Sequence, residues 1–336
     1  KMTIPIRITF LNLIILLAWS CKNDKPTPPP IPSTPTTEES VSEPELEIPK
    51  FDRDSALQYV ADQVAFGPRV PNTAEHAAGR DYLIAQLERF GASTSRQDFS
   101  VRAYTGTILN GSNIIGRINP ENSRRILLAA HWDSRHIADS PLNGGDPTAS
   151  VDGADDGASG VGVLLEIARI LGQNELDLGV DIVFFDVEDH GTSSDPNSWG
   201  LGAQHFSRNL PFAKPEYGIL LDMVGARGAR FPVEGYSRQF APNIVNKVWR
   251  LANQLGYGAY FVSEAGAAIT DDHFFVNTIA RIPMIDIIHR TRNTTTGFGE
   301  HWHTDQDNMD IIDKRTLRAV GQTVLTLLYR EAEGTI

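Results

Sequence analysis

The chain has 336 residues, enough for one large α/β domain or two smaller ones, with ordinary globular shares of hydrophobic (41%) and charged (21%) residues. A formal charge of −12 argues against a nucleic-acid partner, because phosphate recognition needs clustered Lys and Arg. The single cysteine, Cys21, excludes an internal disulfide.

In chain order, residues 4–20 combine a basic start, an apolar stretch too short for a comfortable membrane span, and small residues near its end. This is the pattern of a secretory signal. A cysteine directly after Leu17-Ala18-Trp19-Ser20 resembles a bacterial lipoprotein signal, although Ala18 and Trp19 depart from the usual Leu followed by a small residue. The resemblance implies a lipidated Cys21 and an exported protein, periplasmic or anchored at the outer membrane. A secreted protein cleaved elsewhere and an uncleaved anchor are the alternatives. Residues 22–50 are Pro, Thr, Ser and Glu with almost no large apolar side chains, which predicts a disordered tether. Residues 51–336 then read as a single catalytic domain.

Asp54-Ser55 can cap a helix through Ala65, and Thr73 or Asn72 a second helix that stops at Gly91. Strands are expected at 94–101 and 107–118, and a third at 124–130 that ends in His131-Trp132-Asp133-Ser134. After a long Gly- and Asp-rich loop, Ser159-Gly160 opens a helix that ends at Gly172. The apolar run Ile182–Val187 has no polar alternation, which reads as a strand buried on both faces. It stops at Glu188-Asp189. Another strand, Tyr217–Leu221, ends in Asp222. A helix over 241–255, a short helix after Thr270-Asp271-Asp272-His273, a strand over 282–288 and a helix over 314–331 complete the series. Strands alternating with helices predict a doubly wound α/β fold with a mixed, mostly parallel central sheet.

His131, Glu188-Asp189 and Asp222 all lie at the carboxyl ends of predicted strands, where ligands collect in such sheets. Asp156 lies at a helix start and His303 in a loop near the C-terminus. Imidazole nitrogen and carboxylate oxygen suit zinc, and an acid left free beside a ligand acid can shuttle a proton. Each residue alone also has an ordinary reading. His131 can bond backbone, Asp155-Asp156 can cap a helix, Asp222 can sit in a turn, and His303 can be a surface histidine. His76, His136, His190, His205 and His301 carry no assigned role. Co-location of these residues around one sheet favours a site.

Ala130-His131-Trp132-Asp133-Ser134, Gly153–Gly160, Phe184–Asp189 and Leu220–Gly225 resemble, in order and spacing, the motifs of zinc aminopeptidases, a fold that includes the glutaminyl-peptide cyclotransferases. Leu220–Gly225, Thr270–Phe274 and Trp302-His303-Thr304 look like the cyclases specifically, and the resemblance covers roughly Phe51 to the C-terminus. It implies one zinc held by Asp156, Asp189 and His303, Glu188 as general acid/base, and Asp222 and Asp271 in the catalytic network, with Asp271 favoured over Asp272. Trp302 matches a wall of the substrate pocket, and Trp199 is a second candidate. Animal cyclases and most of the aminopeptidases carry Glu-Glu where this chain has Glu188-Asp189. The absence of a cysteine pair departs from the animal cyclases and fits a bacterial relative.

The implied reaction converts the N-terminal glutamine of peptides or proteins to pyroglutamate with release of ammonia. Substrate selection by the first residue alone is expected, with a membrane met only through the lipid anchor. Two other classes use the same residues. In a di-zinc aminopeptidase, His131 and Asp222 would bind a second metal with Asp156 bridging. A metal-retaining receptor would recognise peptide N-termini without turnover.

Overall fold

The computed structural model describes residues 47–336; the expected signal, Cys21 and the tether up to residue 46 lie outside the described residues. Helix α1 (Arg53–Val64) is capped by Asp52, whose carboxylate accepts from Asp54 N and Ser55 Oγ, so the cap lies two residues before the expected Asp54. Helix α2 (Ala74–Arg89) starts at Thr73, which accepts from His76 N. Strands β1 (Ser93–Arg102) and β2 (Ile108–Ile118) form an antiparallel hairpin. Strand β3 (Arg125–His131) leads through the long loop into α3 (Ala158–Leu171), and β4 (Gly179–Phe185) follows. Next come α4 (Leu201–Arg208), β5 (Tyr217–Asp222), β6 (Phe231–Val233), α5 (Gly235–Phe240), α6 (Pro242–Gln254) and β7 (Phe261–Ala265). Helix α7 (Asp272–Phe275), β8 (Met284–Ile288) and α8 (Lys314–Ala332) end the chain.

The main sheet has the order β1-β2-β4-β3-β5-β8. Strands β4, β3, β5 and β8 run parallel, and the β1–β2 hairpin joins antiparallel along β4. This is the mixed, mostly parallel, doubly wound sheet expected from the sequence. Each residue of the four parallel strands is buried, as their mainly apolar runs require of strands covered on both sides; Asp181 in β4 and Asp286 in β8 are buried acids within them. One face carries α3 with α1 and α8 outside it. The other packs Leu127, Phe185 and Leu220 against Phe206 of α4 and Phe275 of α7. The short pair β6–β7 forms a second, separate sheet.

Two features of this arrangement position a site. The chain passes from β3 to β4 on one side, then returns to β5 on the other side of β3, so the strand order reverses there and a crevice opens at the carboxyl ends. Helix α3 also starts unusually close to the sheet. A Cβ on Gly160 would fall 2.2 Å from the Leu221 carbonyl oxygen, so only glycine lets the helix start press against the end of β5. The helix begins at Ala158 with Gly157 as its cap residue, one residue earlier than expected, and neither Asp155 nor Asp156 acts as the cap.

Candidate active site

Strand β4 gives way to Asp186-Val187-Glu188-Asp189, a turn held from two sides. The Asp186 carboxylate accepts from Ser112 N (2.6 Å) and Val187 N (2.8 Å), and lies 2.9 Å from His76 Nε2. Asp133, two residues past the end of β3, accepts from Glu188 N (3.0 Å) and Asp189 N (3.1 Å). This bracing keeps Val187 at φ +55°, a conformation costly for a β-branched residue. Met223 (φ +47°), directly after Asp222, and His303 (φ +56°) adopt the same left-handed region. Non-glycine residues at such angles cluster at functional sites, because the surrounding structure must over-determine them.

The Asp155-Asp156 turn is fixed in the same way. Asp307 accepts from Asp155 N (2.7 Å) and Asp156 N (3.1 Å). Asp155 itself turns away, accepting from Gly225 N and Ala226 N and lying 2.8 Å from His301 Nε2. That leaves the second acid, Asp156, facing the crevice.

The result is a convergence of buried ligand-type atoms. Asp156, Asp189 and His303 each offer an atom within 4.8 Å of the others. His303 Nε2 lies 3.1 Å from Asp189 Oδ1 and 3.8 Å from Asp156 Oδ2, while its far nitrogen, Nδ1, is 3.2 Å from Asp139 Oδ1. Both Asp189 oxygens are buried without a well-aligned hydrogen bond among the described residues, the nearest cationic groups being the His303 ring and Arg135 Nη1, 3.5 Å from Oδ1. An orphaned carboxylate of this kind is costly unless a cation completes it. His131, Asp156 and Asp222 form an adjoining group, with His131 Nε2 2.9 Å from Asp156 Oδ1 and 3.3 Å from Asp222 Oδ1. A third group, Asp271, His273 and Asp286, lies behind, where His273 Nε2 is 3.0 Å from Glu234 Oε2.

These groups open into a cavity of about 320 Å³, near the lower end of the ~300–1,000 Å³ typical of small-molecule sites. Glu188, Asp222 and Asp271 line it with the three ligand-type residues, whereas Asp272 does not. Trp302 and Trp199 both form its walls. Trp302 stacks on the His303 ring at 3.7 Å and 21°, and Phe298 stacks on Trp302 at 4.6 Å. Trp199 is fixed by its Nε1–H donating to Thr192 O (3.1 Å) and by the Arg135 guanidinium 4.9 Å above its ring.

The electrostatics follow from this burial. Desolvation pushes the Glu188 carboxyl well above the ordinary range; Asp271, Asp189 and Asp272 add to the rise, and His131 opposes it. Burial also raises Asp222 well above its usual value, against the hydrogen bond from His131, and raises Asp271. Burial disfavours the His303 cation, yet Asp189 and Asp139 outweigh it and lift the imidazole to about 9. The site concentrates negative charge that a divalent cation or protons must balance.

Every catalytic, wall and ligand candidate read from the sequence is thus gathered around one cavity. The sequence reading did not single out the supporting residues Asp133, Asp139, Asp155, Asp186, Asp307 and His301. For Asp133 the clue was its place two residues after a strand-end histidine, and Asp155 and Asp186 stand within the motifs around Asp156 and Glu188; Asp139, Asp307 and His301 carry no local signal.

Residues 113–328 match the model of peptidase family M28. The structure of a Zn-dependent exopeptidase from Parabacteroides distasonis is 52% identical, with a TM-score of 0.82 over 84% of this chain and 99% of that one. Bacteroides thetaiotaomicron glutaminyl cyclase is 50% identical, again at 0.82, covering 84% of this chain and 99% of its own. The glutaminyl-peptide cyclotransferase of Drosophila melanogaster is 26% identical over 314 residues, covering 85% of this chain and 83% of its own.

Proposed function

Because the chain belongs to peptidase family M28, we propose that it is a glutaminyl-peptide cyclotransferase, an enzyme that turns the N-terminal glutamine of peptides and proteins into pyroglutamate and ammonia. The observation that carries this reading is Glu188. It is a buried carboxylate beside the ligand cluster but outside it, on the wall of a pocket sized for little more than one residue.

The donor set fits zinc. One imidazole and two carboxylates converge without a thiolate, the Asp189 oxygens accept no hydrogen bond from the backbone, and Asp139 orients His303 from its far nitrogen. When bound, zinc supplies Lewis-acid polarisation of the side-chain amide oxygen. We assign one ion, to the Asp156–Asp189–His303 group, whose three residues all line the cavity, whereas His131 of the adjoining group does not.

The protein's own groups do the rest. The substrate's α-amine nitrogen attacks its own side-chain amide carbon; the new C–N bond closes the ring and the bond to the leaving nitrogen breaks. Glu188 takes the proton from the amine and returns it to that nitrogen, which departs as ammonia. Asp222 and Asp271 hold this proton traffic in place. Trp199 and Trp302 favour the folded substrate and exclude water, which supplies proximity.

The test is an ammonia-release assay on a Gln-initiated peptide, with zinc counted in the same preparation. Glu188→Gln is expected to keep its zinc and lose turnover by about 10²–10⁴-fold. A variant that cyclises at near wild-type rate sinks the assignment. The cluster His131–Asp156–Asp222 and the exopeptidase relative favour a second reading, a di-zinc aminopeptidase. Two zincs per chain with release of ordinary N-terminal residues would select it.

The proposal extends to export, with Cys21 as a lipid anchor and the domain held outside the cytoplasm. The basic start and apolar run before Cys21 support it. Metabolic labelling with a radioactive fatty acid should mark the wild type and not Cys21→Ala; equal labelling, or none in either, removes the anchor.

A further inference from the structure

The catalytic pocket continues into a second, larger cavity of about 1180 Å³, and Arg290 and Thr296 line both. This seam offers a peptide whose first residue occupies the pocket a path toward the larger cavity. Arg290 follows β8 by two residues, and its backbone N–H donates to Arg230 O (3.0 Å). Its guanidinium carbon lies 3.8 Å from the centre of the Phe298 ring. Since Phe298 stacks on Trp302 and Trp302 on His303, one continuous stack runs from the ligand cluster to the guanidinium.

The loop around it is shaped to leave the guanidinium room. Gly297 (φ +77°) passes so close that a Cβ there would fall 2.6 Å from Arg290 Nη2. Thr294 Oγ1 ties the loop by donating to Phe298 O and accepting from Gly297 N. Arg290 nevertheless makes no side-chain hydrogen bond and no ion pair within 4.0 Å among the described residues, although it is half-buried. Asp286 and Glu234 act on it only at longer range, from the buried side. Nearby Arg230, by contrast, is paired with Glu264 at 3.0 Å. An arginine fixed by stacking, partly desolvated and left with free N–H donors is arranged to bind an acceptor, and its planar fork suits a carboxylate.

We propose that Arg290 is a specificity determinant that binds a carboxylate on the residue following the reacting glutamine, so that the enzyme prefers substrates beginning Gln-Glu or Gln-Asp. This inference rests on the cyclotransferase reading and replaces the expectation that the first residue alone selects the substrate. Arg290 lies outside the ligand cluster and lines both cavities, so it acts on affinity for the peptide and not on ring closure.

The experiment measures cyclisation of Gln-Glu-Ala-amide, Gln-Gln-Ala-amide and Gln-Lys-Ala-amide. Wild type should favour the Glu peptide over the Lys peptide by about fivefold or more in kcat/KM, mostly through KM, the scale of one charge-assisted contact. The ratio should shrink at high salt and fall to near one in Arg290→Gln, with Arg290→Lys retaining part of it. Equal cyclisation of the three peptides by wild type overturns this inference and leaves the cyclotransferase reading standing. A preference unchanged by both salt and Arg290→Gln overturns it as well. Failure to cyclise any of the three overturns both.

Discussion

A carboxylate taken out of water has to be hydrogen-bonded, protonated or bound to a cation, and residues of this site differ in which they use. Asp133, Asp186 and Asp307 accept backbone N–H groups, whereas Asp189 accepts none and faces the ligand cluster and the Arg135 guanidinium. Glu234 shows how strongly the first solution acts. Its carboxylate accepts from Tyr236 N, Ser237 N, Ser237 Oγ and Ile269 N, and lies 3.0 Å from His273 Nε2. Burial opposes its charge, but the hydrogen bond and charge of His273 with the backbone donors outweigh burial and lower the pKa from 4.5 to about 2. A folded-state value below the unfolded one means that Glu234 contributes stability fully present above about pH 4.5. That stability is lost as the pH falls toward 2. Glu234→Gln should therefore cost roughly 3 kcal/mol near pH 7, with the gap to wild type closing as pH drops through that window. Urea unfolding across pH 2.5–7 measures it; a gap that stays constant with pH would mean that the charge of Glu234 is not what stabilises the folded state.

At the scale of elements, legibility depended on whether a segment's cause is local. The parallel strands announce themselves because burial on both faces forbids polar alternation; β5 ends in Asp222, and β4 ends at Phe185 with Asp186 directly after it. Helices α2 and α8 are long enough for their apolar spacing to be visible. By contrast α4 has eight residues, α5 six and β6 three, too few for a period to register. They are held instead by distant partners: α4 by the Phe185–Phe206 contact, α5 by the Glu234 cap and Ser237, whose Oγ accepts from Asp286 N. The site divides the same way. Asp156, Asp189 and His303 stand in motifs with recognisable spacing, but Asp307 acts on a turn 152 residues away, and nothing near it in sequence predicts that bond. The α1 cap was misplaced for a related reason: Asp52 and Asp54 are equally good capping residues, and the choice belongs to a carboxylate that also reaches Ser55.

At the scale of the whole domain, the ligand cluster joins segments that the chain otherwise connects only through the sheet. Asp156 belongs to the turn before α3, Asp189 to the turn after β4, and His303 to the loop before α8. A cation held by all three therefore clamps the middle of the chain to its C-terminal part and relieves the mutual repulsion of two buried carboxylates. Ligand linkage sets the size of the effect, about 4 kcal/mol when free zinc stands at a thousand times its dissociation constant. For a domain of this size, 1 kcal/mol moves the melting temperature by about 2–4 °C, so chelation should lower it by roughly 10 °C. Far-UV circular dichroism should change little, because α1, α3 and α8 are held by packing against one another that needs no cation. Asp189→Ala should lose the zinc-dependent increment, since it removes one of the three groups of the ligand cluster. Equal melting temperatures for chelated and zinc-loaded protein, with zinc verified as bound in the latter, would mean that the metal sits in a frame already complete without it. The three orphaned or strained features at the site, the Asp189 oxygens and the left-handed Val187 and His303, argue against such a frame.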